Sequence, residues 1–220
     1  QAKTLFPYTT LFRSGPGDDA SAFLSYDLIA GCKYAATENW QTDLLDCKNP
    51  LYLGVDVGRT NDLTVFWLTE KVGGTHFTRR VITMQKETFS NQEGVLYRLL
   101  ELPQLRRACF DKTGIGMQFA ERAAQRFGTY KCEGVTFSGP VKEDLAYPVR
   151  AAFEDRSVRI PDDNKITADL RAIRKETTTS GNIRFAADRG ADGHADRFWA
   201  LALALHAGKT AGTPAEVVLI

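Results

Sequence analysis

The chain has 220 residues, 43% of them apolar and 25% charged, with a formal net charge of +1. That length supports one sizeable domain, or one domain with an arm, and the near-neutral balance excludes a global pull onto nucleic acid or membrane, so a polyanion would have to be met by a local patch. The longest apolar run, 198-FWALALALHA-207, is too short to span a bilayer, no signal peptide stands out, and Cys32, Cys47, Cys109 and Cys132 form no CxxC pair, which reads as reduced buried thiols of a cytoplasmic protein rather than a disulfide framework or a zinc site.

In chain order, residues 1–14 carry no helical or strand period, and 5-LFPYTTLFRS-14 is similar to the translation of a common sequencing-adapter oligonucleotide. They are set aside as an assembly artefact, and an upstream domain is expected. Residues 15–50 read as a linker region that packs on something and ends in the Asn49-Pro50 turn signal. From Leu51 the pattern sharpens. Residues 51–57 and 63–69 read as strands joined by 58-GRTND-62, and 76–84 as a third strand after Gly73-Gly74. Val95, Leu96, Leu99 and Leu100 mark a helix over 91–102. Strand 107–111 follows, then a helix over 117–127, a strand over 133–138, and helices over 142–155 and 163–175. An extended run over 182–187 precedes a final helix over 194–208. The order βββ-α-β-α-β-α gives an α/β fold with a mixed sheet, three antiparallel strands and then parallel ones, flanked by helices. The domain spans 51–208, with 209–220 as a tail.

Three carboxylates stand out. Asp56 and Asp111 each close an apolar strand, where loops diverge and leave a crevice. Asp196 opens an almost wholly apolar helix, and a helix apolar all round is buried. Three converging carboxylates repel one another unless a divalent cation neutralises them, and oxygen-only ligands select Mg²⁺ or Mn²⁺. Two such ions, roughly 4 Å apart, would stabilise both the attacking and the leaving oxygen of a phosphodiester displacement. Each acid also has a plainer role: Asp56 and Asp111 as turn-formers, Asp196 as a helix-start carboxylate. Asp62 is either a fourth ligand or a cap on the second strand. Asp192 is an alternative third acid, although Gly193 beside it suggests a flexible lead-in. His194 would contact a phosphate or water, or sit on the surface. Lys142 would reach a substrate phosphate or be solvated.

The contexts 53-LGVDVGRTNDLTV-65, 109-CFDKTGIG-116 and 193-GHADRFWALALA-204 resemble the C-terminal nuclease domain of the large terminase subunit of tailed bacteriophages, in its Mu-like phage and prophage version. The resemblance covers roughly residues 51–208, and its most specific piece is the His-x-Asp start of the Ala/Leu helix. It implies a ribonuclease H-like fold and a metal-dependent endonuclease that cuts phage DNA during packaging. Asp56, Asp111 and Asp196 would be its catalytic metal ligands, and the partners it implies are double-stranded DNA, the portal protein and the small terminase subunit, in the host cytoplasm. Nothing matches G-x-x-x-x-G-K-S/T, so the family's ATPase motor is not expected in these residues. Arg79, Arg80, Arg106, Arg107, Lys142, Arg171, Arg174, Lys175 and Arg197 supply local positive charge for DNA.

Two other classes fit parts of the pattern. An ATP-binding sugar-kinase or actin-like lobe shares the sheet order, and 54-GVDVGRTN-61 looks like its first phosphate loop, but the chain after Asp111 is short for a second lobe. A non-catalytic packing domain would bind without cutting. Resolvases and transposases share the chemistry of a ribonuclease H-like site.

Overall fold

A computed structural model of the chain describes residues 22–58, 63–177, 181, 183–187 and 195–210. Its centre is a six-stranded sheet of order β5-β4-β1-β2-β3-β6, built from β1 (Leu51–Asp56), β2 (Thr64–Val72), β3 (Thr75–Met84), β4 (Leu105–Asp111), β5 (Cys132–Val135) and β6 (Val158–Arg159). β1, β2 and β3 pair antiparallel, while β1 with β4, β4 with β5, and β3 with β6 run parallel. This is the mixed sheet expected from the sequence.

Every residue of β1 is buried, which follows from helices covering both faces of the sheet. On one face lie α2 (Phe89–Leu100) and α3 (Gly116–Phe127). Their Leu96, Leu99, Leu100, Phe119 and Ala123 pack on Leu51, Leu53, Val55, Phe66 and Phe110. On the other face lie α4 (Gly139–Glu154), α5 (Asn164–Ala172) and α6 (Asp196–Thr210), packed with Tyr52, Val65, Trp67 and Cys109. The N-termini of α2, α4 and α5 are capped by Thr88, Ser138 and Asp163, whose side-chain oxygens accept backbone N–H bonds.

α6 is the central helix of its layer. Residues 196–205 are buried throughout, so its apolar character has no stripe, as a helix enclosed on all sides requires. It lies directly on β1. A Cβ at Gly54 would collide with the Ala200 carbonyl oxygen and the Ala204 nitrogen, so glycine is what allows strand and helix backbones to approach this closely.

Two elements differ from the sequence reading, the end of α5 and the added strand β6. The helix expected over 163–175 stops at Ala172, and Ile173 turns extended (φ −70°, ψ 127°). Strand β7 (Ile173–Thr177) then pairs antiparallel with β8 (Ile183–Ala187). Ile173 stays fully buried from either backbone conformation, so the apolar spacing gave no sign of the break. The two-residue β6 is held by its parallel neighbour β3, a non-local pairing. In the 15–50 region, the short helix α1 (Tyr26–Ala30) and Phe23, Leu24, Ile29 and Cys32 join the core. The Phe23 N–H donates to the Ile173 carbonyl at 3.0 Å, and Ala22 bridges Arg174.

Candidate metal centre

Asp56 and Asp111 end adjacent parallel strands. Gly54 lies opposite Cys109, and Val55 opposite Phe110. One step further along the same register sets Asp56 beside Asp111, about 4.8 Å away in the direction between strands. Side chains alternate along a strand, so Asp56 shares the face of Gly54, and Asp111 shares the face of Cys109. That face carries α6.

The helix brings Asp196 to the same end. Gly54 meets α6 at Ala200 and Ala204, and Tyr52 lies at van der Waals distance from the position a Cβ on Gly208 would take. The helix therefore runs antiparallel to β1. Asp56 lies two residues, about 6.6 Å, beyond Gly54, and Asp196 lies one turn, about 6 Å, before Ala200. Both steps lead to one corner of the fold. Asp56 is 8% exposed and Asp196 7%, so both carboxylates are placed inside, not on a solvated rim. Ala195, buried just ahead of Asp196, has φ of 63°, a left-handed backbone that costs about 1–2 kcal/mol for a residue with a Cβ. The entry into α6 is thus fixed by its surroundings.

The 112–116 loop wraps Asp111. Its Oδ1 accepts the Thr113 N–H at 2.9 Å. Gly116 closes the loop, because a Cβ there would collide with the Asp111 carbonyl oxygen. Burial raises the Asp111 pKa above its ordinary range, while the Thr113 hydrogen bond and the charge of Lys142 pull it back down. Lys142 reaches this corner from α4. Its Nζ sits 5.0 Å from the Trp199 ring centroid and 5.6 Å from that of Phe137, cation–π distances that hold the ammonium in place. Phe137, Ser138, Lys142, Arg184, Phe185 and Trp199 line part of a cleft of about 530 Å³. The cleft opens between the hairpin β7–β8 and the start of α6.

The donor set fits a hard divalent cation. The ends of β1 and β4 and the start of α6 bring three carboxylate residues to one end of the fold, and burial raises the Asp111 pKa, as expected of a carboxylate awaiting a compensating charge. Asp62, Asp192 and His194 lie outside the described residues.

Sequence reading missed how the start of α6 is anchored. Arg197 forms a buried ion pair with Asp169 of α5, through Nη1 at 3.0 Å and its backbone N–H at 3.2 Å. Only three-dimensional proximity connects residues 28 apart. The pairing takes up Arg197, which the sequence reading offers for DNA contact. Arg79 is likewise taken by Glu70, and Arg107 by Glu133, while Arg171 is buried against the Tyr26 ring. Lys142 and Arg184 are the basic side chains that line the cleft.

Comparison with known proteins places the fold in a family. Residues 53–207 match the family model described as the terminase RNaseH-like domain. The Mu-like prophage FluMu protein gp28 of Haemophilus influenzae is 30% identical over 118 residues, which are 53% of this chain and 23% of that protein. The chain thus spans under a quarter of the length of that relative. The large terminase nuclease of thermophilic phage G20c with bound magnesium is 28% identical, with a TM-score of 0.59 over 72% of this chain and 82% of that one. The same phage nuclease with bound cobalt superposes with a TM-score of 0.66 over 84% of this chain and 97% of that one, at 23% identity.

Proposed function

Because the chain belongs to the terminase ribonuclease H-like domain family, on a match spanning residues 53–207, we propose that it is a divalent-metal-dependent endodeoxyribonuclease that cuts phage DNA during genome packaging. The observation that carries this reading is the shared corner of Asp56, Asp111 and Asp196. Two parallel strands end side by side, and an antiparallel helix starts over them at the point set by Gly54. These three carboxylates would hold Mg²⁺ or Mn²⁺, two ions in all. Ions bound there would stabilise the attacking and leaving oxygens of a phosphodiester displacement.

The chain's own groups divide the remaining work. Thr113 orients the Asp111 carboxylate through its N–H. Lys142, held by two rings beside Asp111, meets a phosphate of the DNA backbone. Arg184 on the hairpin side of the cleft meets a neighbouring one. Both contacts are to phosphate rather than to base edges, so they position the duplex without reading its sequence. Partners in this reading are double-stranded DNA, the portal protein and the small terminase subunit. The place of action is the host cytoplasm at the procapsid portal. No helix among the described residues is long and apolar enough to cross a membrane.

The test is nicking of supercoiled plasmid with Mg²⁺, Mn²⁺ or EDTA, comparing the chain with Asp56→Asn, Asp111→Asn and Asp196→Asn. The reading expects cutting that needs metal and is abolished by each substitution in a folded protein. A well-folded chain that binds DNA and stays inert in both metals at low salt would favour a non-catalytic packing domain. If Asp196→Asn alone stays active, Asp192 becomes the third acid.

A further inference from the structure

One cluster on the α6 face of the sheet plays no part in the carboxylate corner. Cys109 on β4 and Glu133 on β5 are direct register partners, so their side chains stand next to each other beneath α6. His206, in the second half of α6, comes down on the same pair. The Cys109 Sγ lies 3.4 Å from Glu133 Oε2, and the His206 Nε2 lies 3.5 Å from Glu133 Oε1. One donor atom from each residue falls within 4.8 Å of the other two.

We propose that Cys109, Glu133 and His206 form a second metal site, separate from the three aspartates, that takes a borderline transition-metal dication such as Zn²⁺ or Co²⁺.

The geometry suits such an ion. Tetrahedral zinc, with bonds of about 2.3 Å to sulfur and about 2.0–2.1 Å to nitrogen or oxygen, holds its ligand atoms roughly 3.3–3.6 Å apart. The two separations, to Oε2 and Oε1 of the same carboxylate, are close to that spacing, and one donor atom from each residue lies within 4.8 Å of the others. The chemistry suits it too. A thiolate, an imidazole and a carboxylate favour zinc or cobalt, whereas Mg²⁺ prefers oxygen alone. The two sites would therefore sort ions by softness.

The surroundings orient the ligands. Arg107 donates from Nη2 at 2.6 Å and from Nε at 3.1 Å to Glu133 Oε2. That grip fixes the carboxylate and leaves Oε1 turned towards His206, as an outer hydrogen bond commonly does for a metal ligand. The hydrogen bond from His206 and the charge of Arg107 hold the Glu133 pKa at about 2, so this ligand is ionised over the working range. Burial and the Glu133 charge raise the Cys109 pKa, so the metal-free thiol keeps its proton. Metal binding would form the sulfur–metal bond and release that proton to solvent. Thiolate, carboxylate and guanidinium together carry one net negative charge to set against the dication. The Glu133 and His206 side chains are 31% and 28% exposed, so solvent reaches the site and can supply the fourth ligand.

The cluster lies one pleat repeat, about 6.6 Å, below the Asp56–Asp111 row. It ties together β4, β5 and α6, two of which carry the proposed catalytic aspartates. The cysteine spacing of the sequence gives no zinc motif because the three ligands are 24 and 73 residues apart, and only the sheet register gathers them.

Cobalt titration of the metal-free chain tests the proposal without reference to nuclease activity. A bound thiolate gives Co²⁺ a sulfur-to-metal charge-transfer band in the near ultraviolet, which carboxylates do not produce. The expected result is one equivalent of band-forming cobalt that Zn²⁺ displaces and excess Mg²⁺ does not. Cys109→Ser and His206→Gln should each abolish or strongly weaken it, and Asp56→Asn and Asp111→Asn should leave it intact. If Cys109→Ser fails to fold, X-ray absorption of the zinc-loaded chain replaces it, with one sulfur in the first shell expected. Absence of the band in folded protein overturns the site. So does a band that survives Cys109→Ser, which would place the thiolate on another cysteine. A wild type whose only cobalt binding vanishes with the aspartate variants overturns it as well, and leaves the proposed carboxylate site standing.

Discussion

Asp169 and Arg197 are joined twice. The same carboxylate oxygen accepts the Arg197 backbone N–H at 3.2 Å and its Nη1 at 3.0 Å, and both side chains are nearly enclosed, at 11% and 7% exposure. The backbone bond falls on the residue immediately after Asp196. The ion pair therefore sets where α6 begins. Removing one partner leaves a buried charge without compensation, so Asp169→Ala should cost about 3–5 kcal/mol. Urea denaturation measures this directly. Replacing both partners with apolar residues of similar size should recover much of the loss, and no such recovery would mean that the pair acts mainly through packing.

Asp111 gives the opposite sign. Burial raises its pKa, which means that its ionised form is held at a cost in the metal-free fold. Asn keeps an oxygen for the Thr113 N–H while deleting the charge. Asp111→Asn should therefore raise Tm in EDTA relative to wild type, lose the Tm increase that Mg²⁺ gives by mass action, and lower nicking by at least ~100-fold. A variant that melts lower in EDTA would show that the carboxylate is serving the loop and not the cation.

His76 should make stability depend on pH. It is buried at 7% exposure, hydrogen-bonded through Nδ1 to Thr69 Oγ1 at 3.1 Å. Burial, with the charge of Lys71, pushes its pKa down to about 4. The folded state thus prefers the neutral ring, and between pH 6.5 and about 4 the unfolded chain binds the extra proton. The stabilisation is complete above pH 6.5 and is lost as pH falls through that window, by roughly 3 kcal/mol at its acid end. His76→Gln should flatten the fall in stability measured between pH 7 and pH 5. An unchanged slope would assign it to other groups.

Gly54→Ala tests the contact that aligns the corner. The added methyl meets the main chain of α6 at Ala200 and Ala204, which no rotamer can relieve. The expected cost is at least ~3 kcal/mol, the upper end for overpacking, read as a Tm loss of roughly 6–12 °C for a domain of this size.

Lys142→Gln separates phosphate contact from fold. Its ammonium rests against Phe137 and Trp199, so losing it should weaken DNA binding uniformly across sequences. The slope of log affinity against log salt should fall by about 0.9, one released counterion. A change confined to particular sequences would contradict a contact made only to the backbone.

Much of this was legible in the sequence, for a local reason. Asp56 and Asp111 interrupt strands that are otherwise apolar, and Asp196 heads a helix without a polar face, so burial and charge conflict within a few residues of each other. The mixed sheet followed from two turn signals and three short strands. What stayed hidden depends on contacts far apart in the chain. Ile173 fits the helical spacing of α5 yet belongs to a strand. Asp169 looks like an ordinary helix-surface acid until Arg197 is brought to it. Glu133 and His206 lie in unrelated segments that only the β4–β5 register and the descent of α6 place together. Asp62, Asp192 and His194 fall outside the described residues, so their roles rest on the sequence alone.

The attachment of Phe23 has a mechanical meaning. Its N–H is bonded to Ile173, at the root of the hairpin, and Ala22 bridges Arg174. Its ring stands edge-on to Phe185 at 4.9 Å and lies 6.3 Å from Phe198. One aromatic side chain thus touches the hairpin wall of the cleft and the first turn of the helix that begins at Asp196. Tension applied to the chain at Ala22 is carried along a short load path into both, before it reaches the sheet.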